Sequence, residues 1–167
     1  MTHHAILFVD DEPQVLKSFQ RALRKESYTL MTATGGEEGL KLLEAREVSL
    51  VISDYNMPHM NGLEFLKEVK ALYPHILAIM LTGQAEIEVA VQAINEAGVY
   101  KFIQKPWDDA DLKITIRRAL ESIDLISERD RLLQKVKSRD AILKELEKKH
   151  PGITKVDRDE DGYMLID

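Results

Sequence analysis

Along roughly the first 120 residues, short apolar runs alternate with longer stretches of helical spacing. The runs Ala5–Val9, Leu50–Ser53, Leu77–Leu81 and Tyr100–Ile103 are only four or five residues long. Unbroken apolarity over so short a length predicts strands buried on both faces. Thr29–Ala33 is more polar and alternates, as an edge strand does. Between the runs, Leu16, Phe19 and Leu23 make one helical stripe, and Leu63, Leu66 and Val69 a second. Ile87, Ala90, Val91 and Ile94 make a third. Asp11-Glu12-Pro13 reads as a capping acid with an early proline, and Gly98 stands where a helix ends. The alternation predicts a parallel sheet with right-handed crossovers and helices on both faces.

Composition narrows the class without changing this picture. The 167 residues are 44% hydrophobic and 31% charged, a globular balance. The absence of cysteine excludes disulfides and thiolate metal sites and fits a reducing cytoplasm, the expected location. The longest apolar runs are about a quarter of a membrane span. The early acidic pair leaves no room for a signal peptide. A net charge of −6 argues against a chain-wide nucleic-acid surface. The charge is uneven, with residues 126–149 at +3 (eight basic, five acidic) and 150–167 at −3 (two basic, five acidic). Three segments follow: a compact domain over 1–122, a charged helix over 123–150, and an acidic tail over 151–167.

In a parallel sheet of this kind, reactive groups belong just beyond the carboxyl ends of the strands. Asp10 and Asp11 follow the first run, Asp54 ends the third, Thr82 the fourth and Lys105 the fifth. Alone, each has a plainer role: Asp10 and Asp11 suit a helix cap, Thr82 likewise, and Lys105 a solvated surface. Together they make a pocket of three carboxylates that repel one another unless a cation joins them. With oxygen ligands only, that cation is hard, and Mg²⁺ is expected. A carboxylate beside it is suited to attack phosphorus and form an aspartyl phosphate. Lys105 and the Thr82 hydroxyl would then meet the phosphoryl oxygens.

Val9-Asp10-Asp11-Glu12-Pro13, Asp54-Tyr55-Asn56-Met57-Pro58 through Gly62, Leu81-Thr82-Gly83 and Lys105-Pro106-Trp107 resemble, in order and spacing, the receiver domain of two-component response regulators. The resemblance covers residues 1 to about 122 and implies a flavodoxin-like sheet of order 2-1-3-4-5. It implies that Asp54 takes phosphate from a sensor histidine kinase or phosphotransfer protein. Asp11, Asp54 and the Asn56 backbone carbonyl would ligate Mg²⁺, with Asp10 helping through water. Lys105 would pair with the phosphoryl group, and the Lys105–Pro106 peptide would be cis. Thr82 and Phe102 would be the switch pair. Asn56, Gly83 and Gln84 would set access to the phosphoryl group and its lifetime. The stretch Asn95–Trp107 resembles receivers fused to cyclic-dinucleotide phosphodiesterases or histidine kinases.

Helical spacing then runs without Gly or Pro from Asp108 to His150, roughly 60 Å. Leu125, Leu132, Val136, Leu143 and Leu146 alternate by fours and threes, with Arg129 and Arg139 in two seam positions. Asp140–Lys144 and Glu145–Lys149 have the favourable i,i+4 order. So thin a stripe gains by pairing, and a parallel homodimer through 123–150 is expected, against a solvated single helix. In the tail, Ile153–Val156 and Tyr163–Ile166 flank an acidic turn, read as a hairpin ahead of a partial calcium loop. Two other classes compete with the phosphoacceptor. One is a phosphorylation-independent dimerising adaptor. The other is a phosphatase, which needs an acid where Asn56 stands. DNA binding is not expected, since no helix-turn-helix segment follows.

Overall fold

The computed structural model describes residues 3–152; the tail hairpin and calcium loop fall on residues outside this range. The chain divides into two compact units at Asp124/Leu125.

The first unit carries five strands, β1 (Ala5–Val9), β2 (Thr29–Ala33), β3 (Leu50–Asp54), β4 (Leu77–Thr82) and β5 (Lys101–Gln104). All pair in parallel in the order β2-β1-β3-β4-β5. Between them lie α1 (Pro13–Ala22), α2 (Gly36–Ala45), α3 (Gly62–Leu72) and α4 (Ile87–Ala97), and α5 (Asp109–Lys149) follows β5. A 3₁₀ turn, Gln84–Glu86, leads into α4.

The apolar runs are continuous because their alternate side chains feed two cores. Ile6, Phe8, Leu50, Ile52, Ile79 and Leu81 join Leu16 and Phe19 of α1 and Leu112 and Ile116 of α5. Leu7, Val9, Val51, Ala78 and Met80 join Leu43 of α2, Phe65 and Leu66 of α3, and Ala93 and Ala97 of α4. Each fully buried Leu, Ile or Phe is stabilised by about 1.5–3 kcal/mol from apolar area alone. Such burial fixes the strands and the heights at which they end.

Four expectations need correction. The Asp11 side chain does not cap α1: Glu12 is the N-cap residue with no side-chain cap, and its N–H donates to Asp10 Oδ1 at 2.9 Å. In α4 the buried stripe is Ala90, Ala93 and Ala97, while Ile87, Val91 and Ile94 face solvent. The helix lies against its neighbours through small side chains, which the largest apolar residues did not reveal. The fifth strand starts one residue later than expected, at Lys101, and among the described residues it is an edge strand pairing only with β4. Hence its Phe102 and Ile103 are half-buried. On α5, Lys149 meets Glu145 at 3.3 Å, but among the described residues Asp140 and Lys144 form no pair. In its place Arg131 bridges to Glu128.

Two local devices shape the loops at the carboxyl ends. A Cβ on Gly62 would lie 2.2 Å from the Asp54 carbonyl oxygen, so only glycine lets α3 start against the end of β3. Asn61 caps that start by accepting from the Glu64 N–H at 2.9 Å. Gly98 ends α4 with φ of 62°, as its position in the sequence leads one to expect.

In the second unit the described helix residues Leu125–Lys149 are almost all exposed, including Leu125, Leu132, Val136, Leu143 and Leu146.

Candidate phosphoryl-acceptor site

The carboxyl ends of β1, β3 and β4 sit side by side because the register places Val9 opposite Ser53 and Asp54 opposite Leu81. Asp10 extends β1 by one ladder bond, its N–H donating to the Ala33 carbonyl at 3.1 Å. It is fully buried, Asp11 beside it half-buried, and Asp54 nearly buried at 5% exposure. One carboxylate oxygen from each of Asp10, Asp11 and Asp54 lies within 4.8 Å of the others. Lys105 is held to the end of β4 by its N–H bond to the Thr82 carbonyl at 2.7 Å. Its Nζ sits 3.1 Å from Asp10 Oδ2 and 3.1 Å from Asp54 Oδ1. The Lys105–Pro106 peptide is cis.

This arrangement is electrostatically incomplete. Burial pushes the Asp54 carboxyl up to about 6, Asp10 and Asp11 add to the rise, and Lys105 opposes it. At Lys105 burial works against the ammonium, yet Asp54 and Asp10 outweigh it and hold its pKa above the ordinary value. Three carboxylates face one ammonium, so two negative charges are left over when all are ionised. A divalent cation has the charge to balance them, and the all-oxygen set suits a hard one. The Asn56 carbonyl accepts no hydrogen bond among the described residues and is open as a further oxygen ligand. The donors present therefore fit a metal of the Mg²⁺ kind.

Thr82 is buried at 1% exposure, and its hydroxyl has no hydrogen-bond partner among the described residues. Phe102 is half-buried against the α4 side of the sheet. Gln84 is exposed. The Asn56 side chain does not meet Gln84; its Nδ2 donates to Glu86 Oε1. Glu86 Oε2 in turn accepts the Gly83 N–H at 2.9 Å. Sequence reasoning missed Glu86, although an acid four residues beyond Thr82 at a helix start was visible. Trp107 packs edge-on to Phe19, 6.2 Å between centroids, and Phe19 stacks on Phe8. An open groove of about 800 Å³ runs beside Lys105, lined by Glu12, Gln14, Ser18, Arg21 and Trp107.

A doubly wound parallel sheet with an acid triad and a lysine at its switch point defines a class of phosphoryl-handling switch domains. The family model of the response regulator receiver domain matches residues 6–117, and the chain belongs to that family. It is 34% identical over 140 residues to the hydrogenase transcriptional regulatory protein HoxA of Cupriavidus necator, covering 84% of this chain and 29% of HoxA. It is 40% identical over 116 residues to the transcriptional regulatory protein GlrR of Escherichia coli, covering 70% of this chain and 26% of GlrR. The chain thus spans less than a third of these relatives. Among solved structures, the signal receiver domain of an HD domain-containing protein from Pseudomonas fluorescens Pf-5 matches with a TM-score of 0.71 at 37% identity. That match covers 74% of this chain and 98% of the other.

Proposed function

We propose that Asp54 is the phosphoryl acceptor of a two-component or phosphorelay pathway, supplied by a sensor histidine kinase or phosphotransfer protein. The observation that supports this most is the single Lys105 ammonium held 3.1 Å from both Asp10 and Asp54 inside an otherwise acidic, buried pocket. An Asp54 carboxylate oxygen attacks the donor's phosphorus, the bond from phosphorus to the donor nitrogen breaks, and an acyl phosphate forms. Lys105 then pairs with the new phosphoryl oxygens, and the unpartnered Thr82 hydroxyl donates to another. Asp11, Asp54 and the Asn56 carbonyl would hold Mg²⁺, with Asp10 through water. Bound there, the ion supplies charge neutralisation for the incoming phosphoryl group. Phe102 follows Thr82 inward, while Asn56, Gly83 and Gln84 govern how long the phosphoryl group survives. The groove beside Lys105 is the approach for the donor.

On this reading residues 1–122 are the receiver, 123–150 the transmitting helix, and 151–167 an acidic tail. The protein is cytoplasmic, turns over no metabolite, and catalyses only its own phosphorylation and dephosphorylation. The exposed leucines and valine on the second half of α5 support pairing with a second copy. No described helix is long and apolar enough to cross a membrane.

Intact mass after incubation with Mg²⁺ and acetyl phosphate tests the acceptor. One phosphoryl adduct is expected on the wild type and none on Asp54→Asn or in EDTA. Unchanged labelling of Asp54→Asn would overturn the assignment. Light scattering tests the pairing, and a monomer at high concentration would remove it. The adaptor reading predicts that Asp54→Asn leaves oligomeric state and partner binding unaltered.

A further inference from the structure

Two hydrogen-bond donors at the carboxyl end of the sheet are already engaged by an anion. One is the Asn56 Nδ2, two residues beyond Asp54; the other is the Gly83 N–H, one residue beyond Thr82. Both donate to the same carboxylate, Glu86, which is half-buried and belongs to the short turn that starts α4. The two loops are neighbours through the ladder, since Asp54 lies opposite Leu81 and the Tyr55 N–H donates to the Leu81 carbonyl at 3.0 Å. A side chain with one negative charge therefore ties the loop of the acceptor to the loop of the hydroxyl that would meet its phosphate.

We propose that Glu86 is a positioning residue, a built-in stand-in anion that holds the Asn56 and Gly83 donors in the resting arrangement. This rests on Asp54 being the acceptor. An acyl phosphate on Asp54 brings nearly two negative charges to the same loops. Like charges repel, and the phosphoryl oxygens compete for the donors that Glu86 occupies. Phosphorylation then releases Glu86, and with it the turn Gln84–Glu86 and the start of α4. Loss of the Glu86 charge lowers the barrier to labelling, whereas loss of the whole side chain also frees the Gly83 loop before any labelling.

The experiment compares the 167-residue wild type, Glu86→Gln and Glu86→Ala. Adduct formation with Mg²⁺ and acetyl phosphate is followed by intact mass, and Gly83 amide exchange is measured without phosphodonor. Both variants are expected to label about tenfold faster, the factor equivalent to about 1.4 kcal/mol. Added salt should accelerate the wild type more than either variant, because it screens a repulsion they lack. Gly83 exchange is expected to rise in Glu86→Ala and stay near wild type in Glu86→Gln, whose amide oxygen still accepts the N–H. Equal labelling rates in all three, on a wild type that does form the adduct, would overturn the proposal. So would unchanged Gly83 exchange in Glu86→Ala. A wild type without any adduct overturns the acceptor reading instead, and the role of Glu86 with it.

Discussion

The two ends of the sheet treat buried ionisable groups in different ways. At the amino end, His4 is buried at 8% exposure and satisfied on both ring nitrogens. Its Nδ1 pairs with Ser49 Oγ at 2.8 Å and its Nε2 with Asp124 Oδ1 at 2.9 Å, which ties β1 to the loop before β3 and to α5. At the carboxyl end, three acids share one ammonium. Buried polar groups are ordinarily paired because an unpaired one costs about 1–3 kcal/mol. A fold that pairs His4 on both ring nitrogens at one end and leaves the other short of positive charge is stable despite its site.

Breaking the carboxyl end should give the largest effect. Lys105→Met removes the cation between Asp10 and Asp54. We expect a loss of about 3 kcal/mol of stability at pH 7 in EDTA, read by urea titration, partly restored by Mg²⁺. A loss under 0.5 kcal/mol would mean that the lysine carries little of the balance. The Asp54 carboxyl gives the next effect. Its folded pKa of about 6 exceeds the ordinary value near 3.8, so between these the folded state binds more protons than the unfolded one. Stability therefore falls as pH rises from about 4 through 6, by roughly 2–3 kcal/mol. Metal-free wild type should show that fall, and Asp54→Asn should remove it and be the more stable protein at pH 7.5. Parallel curves for the two would reject the raised pKa.

At the amino end, His4→Ala leaves Ser49 and Asp124 without this partner. A cost of about 1–2 kcal/mol in thermal or urea unfolding is expected, with acetyl phosphate labelling of Asp54 unchanged. A labelling defect would show that the two ends are coupled. The smallest effect is local. His59, in the loop between β3 and α3, has φ of 69°, the left-handed region that glycine occupies more cheaply. His59→Gly should raise stability by at most about 1 kcal/mol, whereas a β-branched His59→Val should lower it by about 1–2 kcal/mol.

The carboxyl end was legible in the sequence because its five groups directly follow apolar runs, and strand ends are easy to count. Asp10, Asp54 and Lys105 meet for that reason, although 95 positions separate the first from the last. The amino-end network was not read, because His4, Ser49 and Asp124 belong to no spacing pattern and meet only through the completed fold. Glu86 was hidden for the same reason, since it joins two loops whose closeness depends on the β3–β4 register. In α4 the apolar spacing is legible, but its largest residues, Ile87, Val91 and Ile94, mark the exposed face. Three alanines at 90, 93 and 97 share the period of the larger residues, and only packing distance decides between them.

That alanine face has an energetic corollary. The buried side chains of α4 are Ala90, Ala93 and Ala97, each of which removes far less apolar area from water than the phenylalanine and leucines with which α3 enters the same core. The helix is thus anchored weakly for its length, and its amides should exchange with solvent through openings much shallower than global unfolding. A segment so lightly held can be re-seated at low cost, and little of the energy delivered by a modification nearby would be consumed in moving it.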